Sequence, residues 1–111
     1  MWKYKYGTFI DDQEQITKKY MQKQIYFLLL YVDKKTKDEY QGVDVLSAFN
    51  SILLWFGGLN DLLGNPAELV RVSALLEAAK NEYQSPDFNY AVYRKLVLDA
   101  GSEVMKIKGV D

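Results

Sequence analysis

The chain has 111 residues, a formal net charge of -1, 49% hydrophobic and 26% charged residues, and neither Cys nor His. That length and apolar content suit one soluble domain that buries a core without metals or disulfides. The missing residue types exclude thiolate nucleophiles, disulfide frameworks, Cys/His zinc sites and every mechanism that needs an imidazole proton shuttle.

The chain opens on Trp2-Lys3-Tyr4-Lys5-Tyr6, which alternates aromatic rings and lysines. As a short extended N-terminal arm it sets three rings on one side and two cations on the other. Either the rings stack on bases while the lysines neutralise phosphates, or the rings anchor the arm against the domain and the lysines stay in water. The segment lacks an apolar h-region and a small-residue cleavage site, so the expected location is cytoplasmic.

A helix is expected near residues 12–32. Ile16, Tyr20 and Phe27 form one stripe at helical spacing, and Met21, Ile25, Leu28 and Val32 a second. The run Ile25 to Val32 fits a buried strand as well, and the periodicity before it favours helix. At eight residues this longest apolar run is far short of the roughly 20 that span a bilayer, so no membrane insertion is expected. Asp33 to Gly42 reads as a polar connection. It begins like a calcium loop, but lysines stand at its third and fifth positions, where oxygen ligands are required.

The next amphipathic stretch, near 43–56, carries Val45, Leu46, Phe49, Ile52, Leu53 and Phe56, and Gly57-Gly58 is expected to stop it. Leu59 to Leu63 then makes a short helical turn before Gly64. Asn65-Pro66-Ala67-Glu68 has the grammar of a helix start, with Asn as cap, Pro at the first position and Glu reaching back to the cap. The helix, near 66–83, buries Leu69, Val72, Leu76 and Ala79 with Leu75 flanking. Ser85-Pro86-Asp87 repeats that grammar for a helix near 86–107, whose stripe is Phe88, Val92, Leu96 and Ala100, with Tyr93, Val97, Val104 and Ile107 beside it. Gly101 either ends that helix or sits inside it at a cost of about 1 kcal/mol.

The expected fold is therefore all-α: a single domain over 1–111, a four-helix bundle-like arrangement with a short extended N-terminal arm. No catalytic residue, cofactor or metal site is expected. Asp99 and Glu103, an i to i+4 carboxylate pair, sit on the polar face beside Lys95 and Lys106. Gly57-Gly58 lacks the Gly-Lys-Ser/Thr of a phosphate cradle, and no serine has a nucleophile elbow.

Binding is left. Nine Tyr, five Phe and two Trp exceed what a small bundle interior easily buries, and aromatics concentrate at interface hot spots. The candidates are Trp2, Tyr4 and Tyr6 in the arm and Tyr83, Tyr90 and Tyr93 around the last interhelical turn, with Trp55 and Phe56 in reserve. Tyr20, Tyr26 and Tyr31 either complete the bundle or make a dimer seam. Charge supports a rival: residues 1–37 hold eight lysines against four acids, a net +4, leaving -5 for the rest. A nucleic-acid-associated protein would then use Lys3, Lys5, Lys18, Lys19 and Lys23, although Glu14 shares a face with Lys18 and the chain has only Arg71 and Arg94 for bidentate contacts.

Trp55-Phe56-Gly57 resembles, over three residues, the turn motif of the family of small helical secretion substrates built as a two-helix hairpin. Gly64-Asn65-Pro66 and Ser85-Pro86 interrupt the second of the two long helices that the resemblance implies, so membership is not assigned. Size and helix number are similar to those of four-helix bacteriocin immunity proteins, a likeness of fold and not of function. The leading expectation is a small non-enzymatic protein-binding module, a regulator, adaptor or inhibitor of phage or plasmid type included, able to self-associate. The alternatives are the nucleic-acid reading and an immunity or secretion-related helical protein.

Overall fold

The computed structural model describes residues 1–4 and 6–108, and these form two short strands followed by four α-helices. β1 (Trp2–Tyr4) and β2 (Gly7–Phe9) make an antiparallel hairpin pairing Trp2 with Phe9 and Lys3 with Thr8. The helices are α1 (Asp11–Leu30), α2 (Val45–Leu63), α3 (Ala67–Gln84) and α4 (Tyr90–Val104), with a 3-10 turn at Lys37–Tyr40. The domain is an all-α, four-helix bundle-like fold, as its periodicities predict. The arm is extended but doubles back as the hairpin, and Lys5 lies outside the described residues.

Of the two stripes on α1, Met21, Ile25 and Leu28 enter the core, while Ile16 and Tyr20 remain exposed. The run from Ile25 is helical through Leu30, and Tyr31 and Val32 form the turn that ends it. α3 buries the expected Leu69, Val72, Leu76 and Ala79. It packs most extensively on α4, which also takes α1, so α2 is held mainly from the α3 side.

Three boundaries differ from expectation. α2 does not stop at Gly57-Gly58 but continues to Leu63, where Gly64, at φ 78°, caps it in the left-handed region. Leu59 and Leu63 extend the buried stripe of Phe49, Ile52 and Phe56, and burying each stabilises by roughly 1.5–3 kcal/mol, more than the ~1 kcal/mol each mid-helix glycine costs. Asn65 is not a cap: it too is left-handed (φ 57°), its N–H donates to the Asn60 carbonyl, and its Oδ1 accepts from Asn60 Nδ2 at 2.8 Å. A two-residue reversal between α2 and α3 needs positive φ, and after Gly, Asn tolerates it best. Pro66 takes the cap position with no side-chain bond, so Glu68 closes no capping box.

Finally, α4 begins at Tyr90 and not at Pro86. Asn89 caps it, Oδ1 accepting from the N–H groups of Ala91 and Val92 at 2.9 and 3.3 Å, while its own N–H donates to Glu82. The later start leaves Phe88 in the connection, and α4 turns its other stripe, Tyr93, Val97, Ala100 and Val104, to the core, so Phe88 and Val92 are exposed. Gly101 lies inside the helix against the Tyr26 ring, and Gln22 Nε2 donates to its carbonyl at 3.0 Å.

Candidate functional site

The proposed aromatic residues divide between the two ends of a molecule 42 Å long. At the hairpin end, Trp2 is fully buried, and its indole N–H donates to the Ile107 carbonyl at 3.1 Å, fastening the N-terminal strand to the segment after α4. Tyr4 is half-buried against Phe9, ring centroids 5.1 Å apart, and Tyr6 is exposed. Trp2 is thus a core residue, and its ring is closed to partners.

The lysines of the rival surface are likewise divided. Lys18 is buried, bridged to Glu14 at 3.1 Å and lying over the Trp2 ring at 5.5 Å, so its ammonium is not presented to a phosphate. Lys3 is exposed on the hairpin. Lys19 and Lys23 are exposed together on α1, beside an apolar groove of about 600 Å³ that includes Tyr26, Leu29 and Leu98.

At the other end the sequence candidates meet. A cleft of about 650 Å³ opens between the segment that follows α1 and the α3–α4 connection. Tyr31, Tyr83, Phe88 and Tyr90 give its apolar lining, and Lys34, Lys35 and Lys37 stand on its rim. Tyr93 lies beneath as the hub, with ring centroids 5.7 Å from Phe88, 6.2 Å from Tyr90 and 6.3 Å from Tyr83. It is wholly buried and its hydroxyl donates to the Leu28 carbonyl at 2.6 Å, so it supports the site from below and does not face a ligand. Burial pushes its phenol well above the ordinary tyrosine range.

The rim is held in place by its own backbone. Asp33 Oδ1 accepts from the Lys35 N–H at 2.8 Å, and the Thr36 hydroxyl donates to the Leu30 carbonyl at 2.7 Å, so the lysines project from a pinned turn. Across the cleft the Tyr90 hydroxyl donates to Asp33 Oδ2 at 2.9 Å, tying α4 to the end of α1. The Lys35 N–H first, and then the Tyr90 hydroxyl, hold the Asp33 carboxyl below its usual range. Burial, then Asp33, raises the Tyr90 phenol. Asp33 stays ionised, and the three ammoniums of Lys34, Lys35 and Lys37 outweigh its single charge, so the rim is net positive.

Tyr31 extends the site sideways, stacking on Phe27 at 6.0 Å and meeting Tyr40 edge-on at 5.2 Å. Tyr83 and Tyr90 were legible as candidates from their place near the last turn. Phe88 was not, because the early start assigned to α4 put it in the core stripe, and Tyr31 and the three rim lysines needed the loop to fold back over α3–α4. The signal available was Lys34-Lys35-x-Lys37 directly after Tyr31.

Asp99 and Glu103 do not form a joint site. Asp99 pairs with Lys95 at 2.8 Å, and Glu103 with Arg71 at 2.7 Å and Lys106 at 3.6 Å. Among the described residues, no helix is long and apolar enough to cross a membrane. Trp55-Phe56-Gly57 lies inside α2 and marks no hairpin turn. No family model matches the chain, and neither a curated protein nor a solved structure matches it.

Proposed function

We propose that this protein is a small non-enzymatic binding module of the cytoplasm, a regulator, adaptor or inhibitor that grips a segment of a partner protein in the cleft beyond α1. The observation that carries the proposal is the meeting of Tyr31, Tyr83, Phe88 and Tyr90, from separate stretches of chain, around one opening. Rigid rings bury large areas with few rotors to freeze, which is why they dominate interface energetics. Lys34, Lys35 and Lys37 favour a segment that sets acidic residues beside an apolar anchor. Self-association as a homodimer completes the proposal, supported by the exposed Tyr20, Leu54, Trp55 and Leu62 side chains of α1 and α2.

Rings beside lysines also suit stacked bases and phosphates, and this is the second reading. Affinity capture with and without nuclease separates the two. A stoichiometric protein that survives digestion and is retained at least about tenfold less well by Phe88→Ala and Tyr90→Ala, with helicity unchanged, supports the cleft. Retention by both variants moves the binding surface elsewhere. Co-purifying nucleic acid, released as salt rises, makes the lysine rim a phosphate contact.

A further inference from the structure

The seam between α1 and α4 carries a groove that shares no lining residue with the aromatic cleft. The two helices run antiparallel there. Gln22 Nε2 donates to the Gly101 carbonyl at 3.0 Å and, further along α1, the Tyr93 hydroxyl donates to the Leu28 carbonyl. Gly101 has no side chain to keep the Tyr26 ring out of the seam, and about 600 Å³ stays open beside that ring.

The lining divides by position along α1. Its earlier turns give Lys19, Gln22 and Lys23, which are polar. Its later turns give Tyr26, Phe27, Leu29 and Leu30, and α4 adds Leu98 from across the seam. These five apolar side chains are all half-buried, whereas both lysines are exposed. Phe27 is fixed in its wall by Tyr31 and Tyr40, ring centroids 6.0 and 6.3 Å away. Lys19 and Lys23 stand one turn apart, and among the described residues no carboxylate comes within ion-pair distance of either. Like charges at i and i+4 destabilise a helix, so the pair is complementary to an anion that bridges it.

The groove is thus cationic at one end and apolar along the rest, which is the polarity of a molecule with one negative headgroup and one chain. Residues 19–30 cover about 16 Å of helix, the reach of a medium-length acyl chain. The volume falls inside the range of about 300–1,000 Å³ typical of small-ligand sites. An acidic helix carries charge along its whole flank, whereas these cations occupy one end. A bilayer takes up apolar groups that project, whereas these lie below the lysines. Bases need rings to stack on, and Leu29, Leu30 and Leu98 offer none.

We infer that the α1–α4 groove binds a free single-chain anionic amphiphile, a medium-chain fatty acid. Its carboxylate sits between Lys19 and Lys23, and its chain lies along Tyr26, Leu30 and Leu98. The site is independent of what the cleft grips and of self-association.

Isothermal titration calorimetry of the full chain with dodecanoate, at neutral pH and below its micelle concentration, tests it. One equivalent is expected to bind saturably and to shift the methyl resonances of Leu29, Leu30 and Leu98, leaving those of Leu54 and Leu62 on α2 in place. Dodecyltrimethylammonium, with the same chain and the opposite charge, is expected not to bind. Lys19→Ala with Lys23→Ala is expected to weaken dodecanoate at least about tenfold with circular dichroism unchanged. Lys3→Ala with Lys108→Ala, which removes two exposed lysines elsewhere, is expected to change it less than about twofold. Absence of saturable dodecanoate binding overturns the site, as does equal binding of the cationic amphiphile or indifference to the Lys19 and Lys23 pair. Binding to vesicles of anionic phospholipid without binding of free dodecanoate overturns it in favour of a membrane surface. Binding of a helical leucine–glutamate peptide in place of dodecanoate overturns it in favour of a protein partner.

Discussion

At the scale of single residues, three positions, Gly101, Trp2 and Tyr93, do work that their place in the sequence does not announce. Gly101 is the point where α4 approaches α1, and a Cβ there would lie 2.3 Å from the Tyr26 ring. Gly101→Ala is expected to cost about 1–3 kcal/mol through overpacking, and the penalty shrinks in a Tyr26→Ala background, read as a double-mutant cycle by urea denaturation. Trp2 belongs to the core, so Trp2→Ala is expected to lower stability by about 3–5 kcal/mol; a loss of partner binding with stability intact would contradict that role. Tyr93 is a buried phenol whose folded pKa is raised, by burial first, above the unfolded value near 10. Its contribution is therefore fully present below about pH 10 and is lost as pH rises toward the folded value. Stability measured by denaturant between pH 8 and 11 is expected to fall at the alkaline end, and less steeply in Tyr93→Phe.

At the scale of elements, the helices whose apolar stripes repeat cleanly were readable, and the punctuation between them was not. α3 follows its sequence pattern because propensity, Pro66 and the Leu69 to Ala79 stripe all agree. In α2 the local signal and the long-range one conflict, and core burial of Leu59 and Leu63 overrides two glycines. Gly57, whose added Cβ would meet nothing within 4 Å, carries the conformational cost without a compensating contact. Gly57→Ala is expected to raise stability by about 0.5–1 kcal/mol, seen as a higher denaturation midpoint. The start of α4 shows the opposite case, two valid caps four residues apart of which the chain uses the second. Asn89→Ala is expected to cost about 0.5–2 kcal/mol, whereas Ser85→Ala, which touches only the Asp87 N–H in the loop, should change little.

At the scale of the whole molecule, the 42 Å long axis separates a structural end from a binding end. The hairpin end is closed by Trp2 and by the Glu14–Lys18 pair, while the opposite end gathers rings and exposed lysines. A salt titration of partner binding is expected to weaken it through Lys34, Lys35 and Lys37, and Lys34→Ala with Lys35→Ala should flatten that dependence without moving the melting temperature. Lys3 on the hairpin and Lys19 midway along α1 serve as the control pair, whose removal should leave the salt dependence as it is.

The amino-acid sequence by itself determined the helical class, the existence of four helices and the buried stripe of α3, because these follow from local periodicity repeated over many residues. It also excluded imidazole and thiolate chemistry outright. Only the tertiary structure decided which of two stripes on α1 and α4 enters the core, since both stripes repeat at helical spacing and the rotation of a helix about its own axis is set by the helices packed against it. It alone brought Tyr31 and the lysine loop against Phe88 and Tyr90, and it alone left α2 half uncovered. The Tyr90–Asp33 contact joins residues 57 positions apart, and no local spacing encodes which distant surfaces will face each other.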